Sequence, residues 1–123
     1  MLKKLSMALF ALLAAGLLTP SADAHPTLKS ASPPVESVTV TEPTEIKLTF
    51  SEGVISKFSS VEVKDQGGKT VATGKVATNP KDQKELVVPL QAPLKAGTYT
   101  VTWNIVSVDT HRVRGTYSFK VRG

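Results

Sequence analysis

The sequence predicts an all-β domain: an antiparallel Greek-key β-sandwich or small barrel of about seven strands, immunoglobulin-like or cupredoxin-like in type. Three observations predict it. Several short segments alternate apolar and polar residues with a period of two, turn-forming residues recur every eight to twelve positions, and no eleven-residue window beyond the first 24 residues combines a 3.6 period with helix caps.

The chain begins with a segment that belongs to export rather than to the fold. Lys3 and Lys4 supply positive charge, Leu5 to Leu18 form an almost unbroken apolar run of 14 residues, and Ala22-Asp23-Ala24 offers small residues to a signal peptidase. A run of that length falls short of the roughly 20 residues a membrane-spanning helix needs, and no comparable run follows. Residues 1–24 are therefore expected to be a cleaved secretory signal peptide, leaving residues 25–123 as one domain that is not membrane-embedded.

Taken in order, the weak candidate Val38-Thr39-Val40 comes first. Glu45 to Phe50 is stronger, with Ile46, Leu48 and Phe50 on one face and Glu45, Lys47 and Thr49 on the other. Val61 to Lys64 repeats the pattern, Val71 to Val76 repeats it weakly, and Leu86-Val87-Val88 reads as a short buried strand. Tyr99 to Ile105 and Tyr117 to Val121 complete the set. Between them stand Ser32-Pro33-Pro34, Glu42-Pro43, Gln66-Gly67-Gly68-Lys69, Asn79-Pro80 and Pro93 to Gly97. Gly67-Gly68 is the clearest hairpin signal, and Phe50 and Trp103 are the expected core anchors.

Loss of Lys3, Lys4 and Asp23 from 15 basic and 10 acidic residues leaves a net charge of +4, spread along the chain rather than blocked. That balance favours solubility over nucleic-acid binding. Both methionines, Met1 and Met7, leave with the signal, and the chain has no cysteine. An exported domain without sulfur must be stabilised by an ordinary core. There is no Cys-x-x-Cys, no Gly-x-Ser-x-Gly, no phosphate loop and no His-x-x-x-His.

The chemistry rests on the two histidines, His25 and His111. Cleavage after Ala24 would make His25 the first residue, presenting an α-amino nitrogen and its own Nδ1 to one metal ion in a six-membered chelate ring. Both groups lose protons readily near neutral pH. Nitrogen donors of this kind favour Cu(II), at the top of the divalent affinity order. Pro26 has no amide hydrogen to lose, so further donors must come from elsewhere. Asp109 and His111 are two residues apart, and on an extended segment their side chains point the same way. The competing structural reading is a turn in which Asp109 caps a backbone N–H and His111 faces water.

Gly97 to His111, containing Trp103 and the Asp109-Thr110-His111 triplet, followed by Gly115 to Val121, resembles the closing signature of the CopC family of periplasmic copper resistance proteins. His25-Pro26 with Leu28 and Ser30 resembles the family's mature start, and Leu48 to Glu52 its early strand. The resemblance implies a β-sandwich Cu(II) carrier in the periplasm, not an enzyme, holding one Cu(II) per chain through His25, His111 and Asp109. In it Asp109 either ligates axially or holds a bound water. Glu52 matches a glutamate near the family's site, although a solvated strand end is the preferred reading here. A CopD-type inner-membrane protein is the partner implied, and the carrier is expected to be a monomer. Lys81 to Leu90 resembles a shorter, YobA-like branch that lacks the methionine-rich Cu(I) loop, and no Cu(I) site is expected because no soft donor remains.

Two rivals belong to other classes. A copper monooxygenase also uses an N-terminal histidine on a β-sandwich, but it needs an open copper face among exposed aromatics, and residues 25–123 hold only Phe50, Phe58, Tyr99, Trp103, Tyr117 and Phe119. An immunoglobulin-like interaction module would bind no metal and would not be stabilised by copper.

Overall fold

The computed structural model describes residues 25–123; the segment read as a signal peptide lies outside the described residues. Eight strands run in the order β1 (Leu28–Ser32), β2 (Val38–Thr39), β3 (Glu45–Phe50), β4 (Ser60–Lys64), β5 (Ala77–Asn79), β6 (Asp82–Pro89), β7 (Gly97–Val106) and β8 (Arg112–Val121). A 3-10 turn, Ser56–Phe58, precedes β4. The strands form two four-stranded sheets, β1-β3-β6-β5 and β2-β8-β7-β4. The all-β sandwich expected from the sequence is therefore the fold.

The two-residue period explains why. In β3, Ile46, Leu48 and Phe50 are buried while Glu45, Lys47 and Thr49 lie on the outer side. Val61 and Val63 of β4, Leu86 and Val88 of β6, Tyr99, Val101, Trp103 and Ile105 of β7, and Tyr117, Phe119 and Val121 of β8 complete one core between the sheets. The two anchors meet edge to face: Phe50 from one sheet and Trp103 from the other have ring centroids 5.9 Å apart. Tyr99 stacks on Phe119 at 5.7 Å. The Gly67-Gly68 signal is a tight turn, with Gly68 at φ +83° and the Asp65 side chain accepting the N–H groups of Gly67 and Lys69.

Three details differ from the sequence reading. Strand β1 carries no apolar alternation, because a register shift between Leu28 and Ser30 breaks its pleat against β3. Val71 to Val76 is no strand; Thr73 makes one isolated bridge to Leu90, and the strand forms later, at Ala77–Asn79. Strand β2 pairs with β8 in parallel, so the sandwich is not wholly antiparallel.

The registers bring five chain segments to one end of the sandwich. Leu28 of β1 pairs with Phe50 at the end of β3, and Val106 of β7 pairs with Arg112 of β8. Val54 bridges to Ser107, and its N–H donates to the carbonyl of Gln83 at the start of β6. No helix among the described residues is long and apolar enough to cross a membrane.

Candidate metal centre

His25 is placed by its neighbours. Pro26 is buried, and Thr27 is tied to the end of β3 twice: its N–H donates to Ser51 Oγ at 2.9 Å and its carbonyl accepts the Ser51 N–H at 2.8 Å. These contacts fix the chain immediately after His25, so the exposed imidazole has a defined place at the end of the sandwich.

The opposite wall is the β7–β8 hairpin. The Ser107 N–H donates to the His111 carbonyl at 2.9 Å, and the Thr110 N–H donates to the Ser107 carbonyl at 2.8 Å, which leaves Val108, Asp109 and Thr110 as a three-residue loop. Thr110 takes the left-handed position with φ +69°. A β-branched residue there is uncommon and strained, and such backbone gathers at functional sites. The Val108 N–H donates to the Gly53 carbonyl at 2.9 Å, which ties the loop to the segment after β3.

The structure brings His25, His111 and Asp109 together. The rings of His25 and His111 meet edge to face with centroids 5.1 Å apart, and His111 Nδ1 lies 3.2 Å from Asp109 Oδ2. The pairing of Asp109 with His111 comes from the left-handed turn at Thr110, not from an extended segment. The competing reading holds in part, since the backbone N–H of His111 also bonds to the Asp109 carboxylate, but its other oxygen, Oδ1, accepts the hydroxyl of Ser107. That hydroxyl, above all, holds the Asp109 carboxyl below its ordinary pKa; a lesser desolvation cost opposes it, and the charge and hydrogen bonds of His111 reinforce it. Among the described residues no three His, Cys, Asp or Glu side chains form a ready-made metal cluster.

Glu52 departs from the solvated strand end preferred on sequence. It stands between Ser51, tied to Thr27, and Gly53, tied to Val108. Its Oε2 is buried and finds no hydrogen-bond partner among the described residues. A buried carboxylate oxygen without a partner is costly and calls for an explanation at this site. Ser107 was missed altogether, since a serine ending an apolar strand has no distinguishing pattern.

One family model matches nearly the whole of the described chain: the CopC domain, over residues 28–122. The chain belongs to the CopC family. It is 41% identical to the protein YobA of Escherichia coli K12 over 112 residues, covering 91% of this chain and 90% of that one. Among solved structures, CopC from Methylosinus trichosporium OB3b superposes with a TM-score of 0.74 at 33% identity, covering 80% of this chain and 94% of that one. PcoC, a methionine-rich copper resistance protein from Escherichia coli, gives 0.71 at 40% identity, covering 80% of this chain and all of that one. The CopC family is one of copper resistance proteins rather than of enzymes. This CopC-family chain carries no methionine after Met7, in contrast to the methionine-rich PcoC.

Proposed function

We propose that this protein is an exported Cu(II) carrier of the periplasm, cleaved after Ala24, which takes one copper ion per chain as cargo at the end of its sandwich. The observation that carries the reading is the meeting of its two histidine rings, 5.1 Å apart although 86 positions separate them in sequence. Cleavage would add the α-amine of His25 as a donor next to its own Nδ1. That also accounts for the lack of a three-side-chain cluster, because one donor is a terminus. Asp109 faces Nδ1 of His111, so the donor from that ring is Nε2, an arrangement in which a carboxylate orients a metal-binding imidazole. The buried Oε2 of Glu52 suits a hydrogen bond from the amine or from a water on the ion. Two imidazoles and an amine favour Cu(II) over the other divalent ions. A CopD-type inner-membrane protein is the acceptor this reading implies, and the carrier acts as a monomer.

The test is a Cu(II) titration of residues 25–123 beside the same protein with one serine added before His25, followed by electron paramagnetic resonance and by competition with a chelator of known affinity. The extension keeps every side chain and turns the amine into an amide. A nitrogen-rich tetragonal signal that the extension removes is the expected result. Equal, weak binding by both proteins would overturn the reading.

A further inference from the structure

The hairpin that carries Asp109 and His111 closes on a residue shut off from solvent. Ser107 is fully buried, the one polar side chain so placed among the described residues. A buried hydroxyl without partners would cost roughly 1–3 kcal/mol. This one is saturated from within the loop: it donates to Asp109 Oδ1 and accepts the His111 N–H at 3.2 Å. Its own backbone N–H and carbonyl bind the His111 carbonyl and the Thr110 N–H. Every one of these partners lies within the next four residues, which include both expected metal-site side chains of the hairpin.

The division of the Asp109 carboxylate gives this arrangement its consequence. Oδ1 is taken by Ser107 and Oδ2 by His111 Nδ1. The Asp109 side chain is 40% exposed and the His111 side chain 42%, so packing, including the edge contact of the His111 ring with His25, leaves both room for several rotamers. With Oδ1 fixed to a buried hydroxyl on a sheet-bound residue, Oδ2 can only point along the loop towards His111. A carboxylate oxygen facing Nδ1 places the proton of the neutral ring on that nitrogen and leaves the lone pair on Nε2.

The geometry points to Ser107 as the positioning residue of the centre, one that acts through Asp109 to set which nitrogen of His111 is offered to a metal ion. The inference rests on the Cu(II)-carrier reading for its purpose, but its physical core, the tautomer of His111, is a property of the metal-free protein. Loss of an outer partner of a metal-binding histidine commonly weakens metal binding by about 10–100-fold. The same range is expected for Ser107→Ala.

The experiment uses residues 25–123 without metal, labelled with 15N, at a fixed pH of about 8. Long-range 1H–15N correlations assign the proton on His111 to Nδ1 or Nε2. The unsubstituted protein is expected in the Nδ1–H form; Ser107→Ala should move it towards Nε2–H, and Ser107→Thr, which keeps the hydroxyl, should restore it. Asp109→Ala, on an exposed loop, must reproduce the shift, and it decides the question should Ser107→Ala fail to fold. Competition titrations with Cu(II) then read the 10–100-fold loss. An Nε2–H ring in the unsubstituted protein overturns the inference, as does an unchanged tautomer in either a folded Ser107→Ala or Asp109→Ala. Failure of the unsubstituted protein to bind Cu(II) would instead overturn the carrier reading and leave the tautomer result to stand by itself.

Discussion

The indole of Trp103 lies across Gly115. The two residues face each other in the β7–β8 ladder, and a Cβ built on Gly115 would stand 2.2 Å from Cζ2 of the indole and 2.6 Å from Cε2. Glycine is thus required for the space above its Cα, since its φ is not in the left-handed region. The contact also sets the tilt of Trp103 against Phe50 and Tyr117, its two aromatic neighbours. Gly115→Ala must push the indole off its rotamer or part the strands, at a cost of about 3 kcal/mol. In a domain of this size that lowers the thermal midpoint by more than about 10 °C. The emission of Trp103, the single tryptophan, reports the transition. A drop under about 3 °C would show that the indole has room to move.

Tyr117 joins the core to the segment between the sheets through a buried hydrogen bond, its hydroxyl donating to the Pro33 carbonyl at 2.9 Å. Tyr117→Phe removes the donor and strands a carbonyl, for an expected loss of about 1–2 kcal/mol near neutral pH. Burial raises the pKa of this phenol well above its ordinary value. The fold thus favours the neutral form, and an unfolded tyrosine ionises near pH ~10. The contribution is whole below that pH and is lost as the pH rises towards the folded value. Urea midpoints at about pH 8 and pH 11 should fall further for the unsubstituted protein than for Tyr117→Phe. An equal fall would mean that the phenol is not desolvated.

The strands most legible in the sequence, β3, β7 and β8, are those with a stretch whose inner face is filled by large apolar side chains in alternation: Ile46 to Phe50, Tyr99 to Ile105 and Tyr117 to Val121. Strand β1 was illegible because Leu28 and Ala31 are its only apolar residues and a bulge separates them in phase. Val38 and Val40 alternate as a strand should, yet both are exposed; their pattern marks an edge, not a core face. At the site, His25 and His111 could be found from their chemistry alone. The left-handed turn that joins Asp109 to His111 could not, because threonine gives no sign of such a conformation. Ser107 was hidden for a related reason, and Glu52 could be named only through the family resemblance: what sets both apart is burial, which a polar residue at a strand end does not announce.

That turn yields a prediction opposite in sign. Thr110 holds φ +69°, where a β-branched side chain is strained and asparagine is tolerated. Thr110→Asn should raise stability by about 0.5–1 kcal/mol, or roughly 2–8 °C in thermal midpoint. The backbone contacts of the loop, Thr110 N–H to Ser107 and Ser107 N–H to His111, need no threonine side chain, so Cu(II) binding should persist. A lowered midpoint would mean that the threonine hydroxyl, which donates to the Asp109 carbonyl, outweighs the strain.

The composition of the centre fixes how it should respond to reduction. The side chains proposed as donors, His25, His111 and Asp109, offer nitrogen and oxygen, and residues 25–123 contain neither cysteine nor methionine. Cu(I) is soft and is held by thiolate or thioether sulfur, whereas imidazole, amine and carboxylate suit Cu(II). Ascorbate added to the Cu(II)-loaded protein, with a Cu(I)-specific chelator present, should transfer the whole equivalent to the chelator, while the same chelator without reductant should take little. Replacing Val87 with methionine on the half-buried strand β6 should not prevent that transfer, since one thioether away from the histidines makes no soft site. Retention of Cu(I) by the unsubstituted protein would show that paired imidazoles alone suffice, and the predicted restriction to Cu(II) would then be lost.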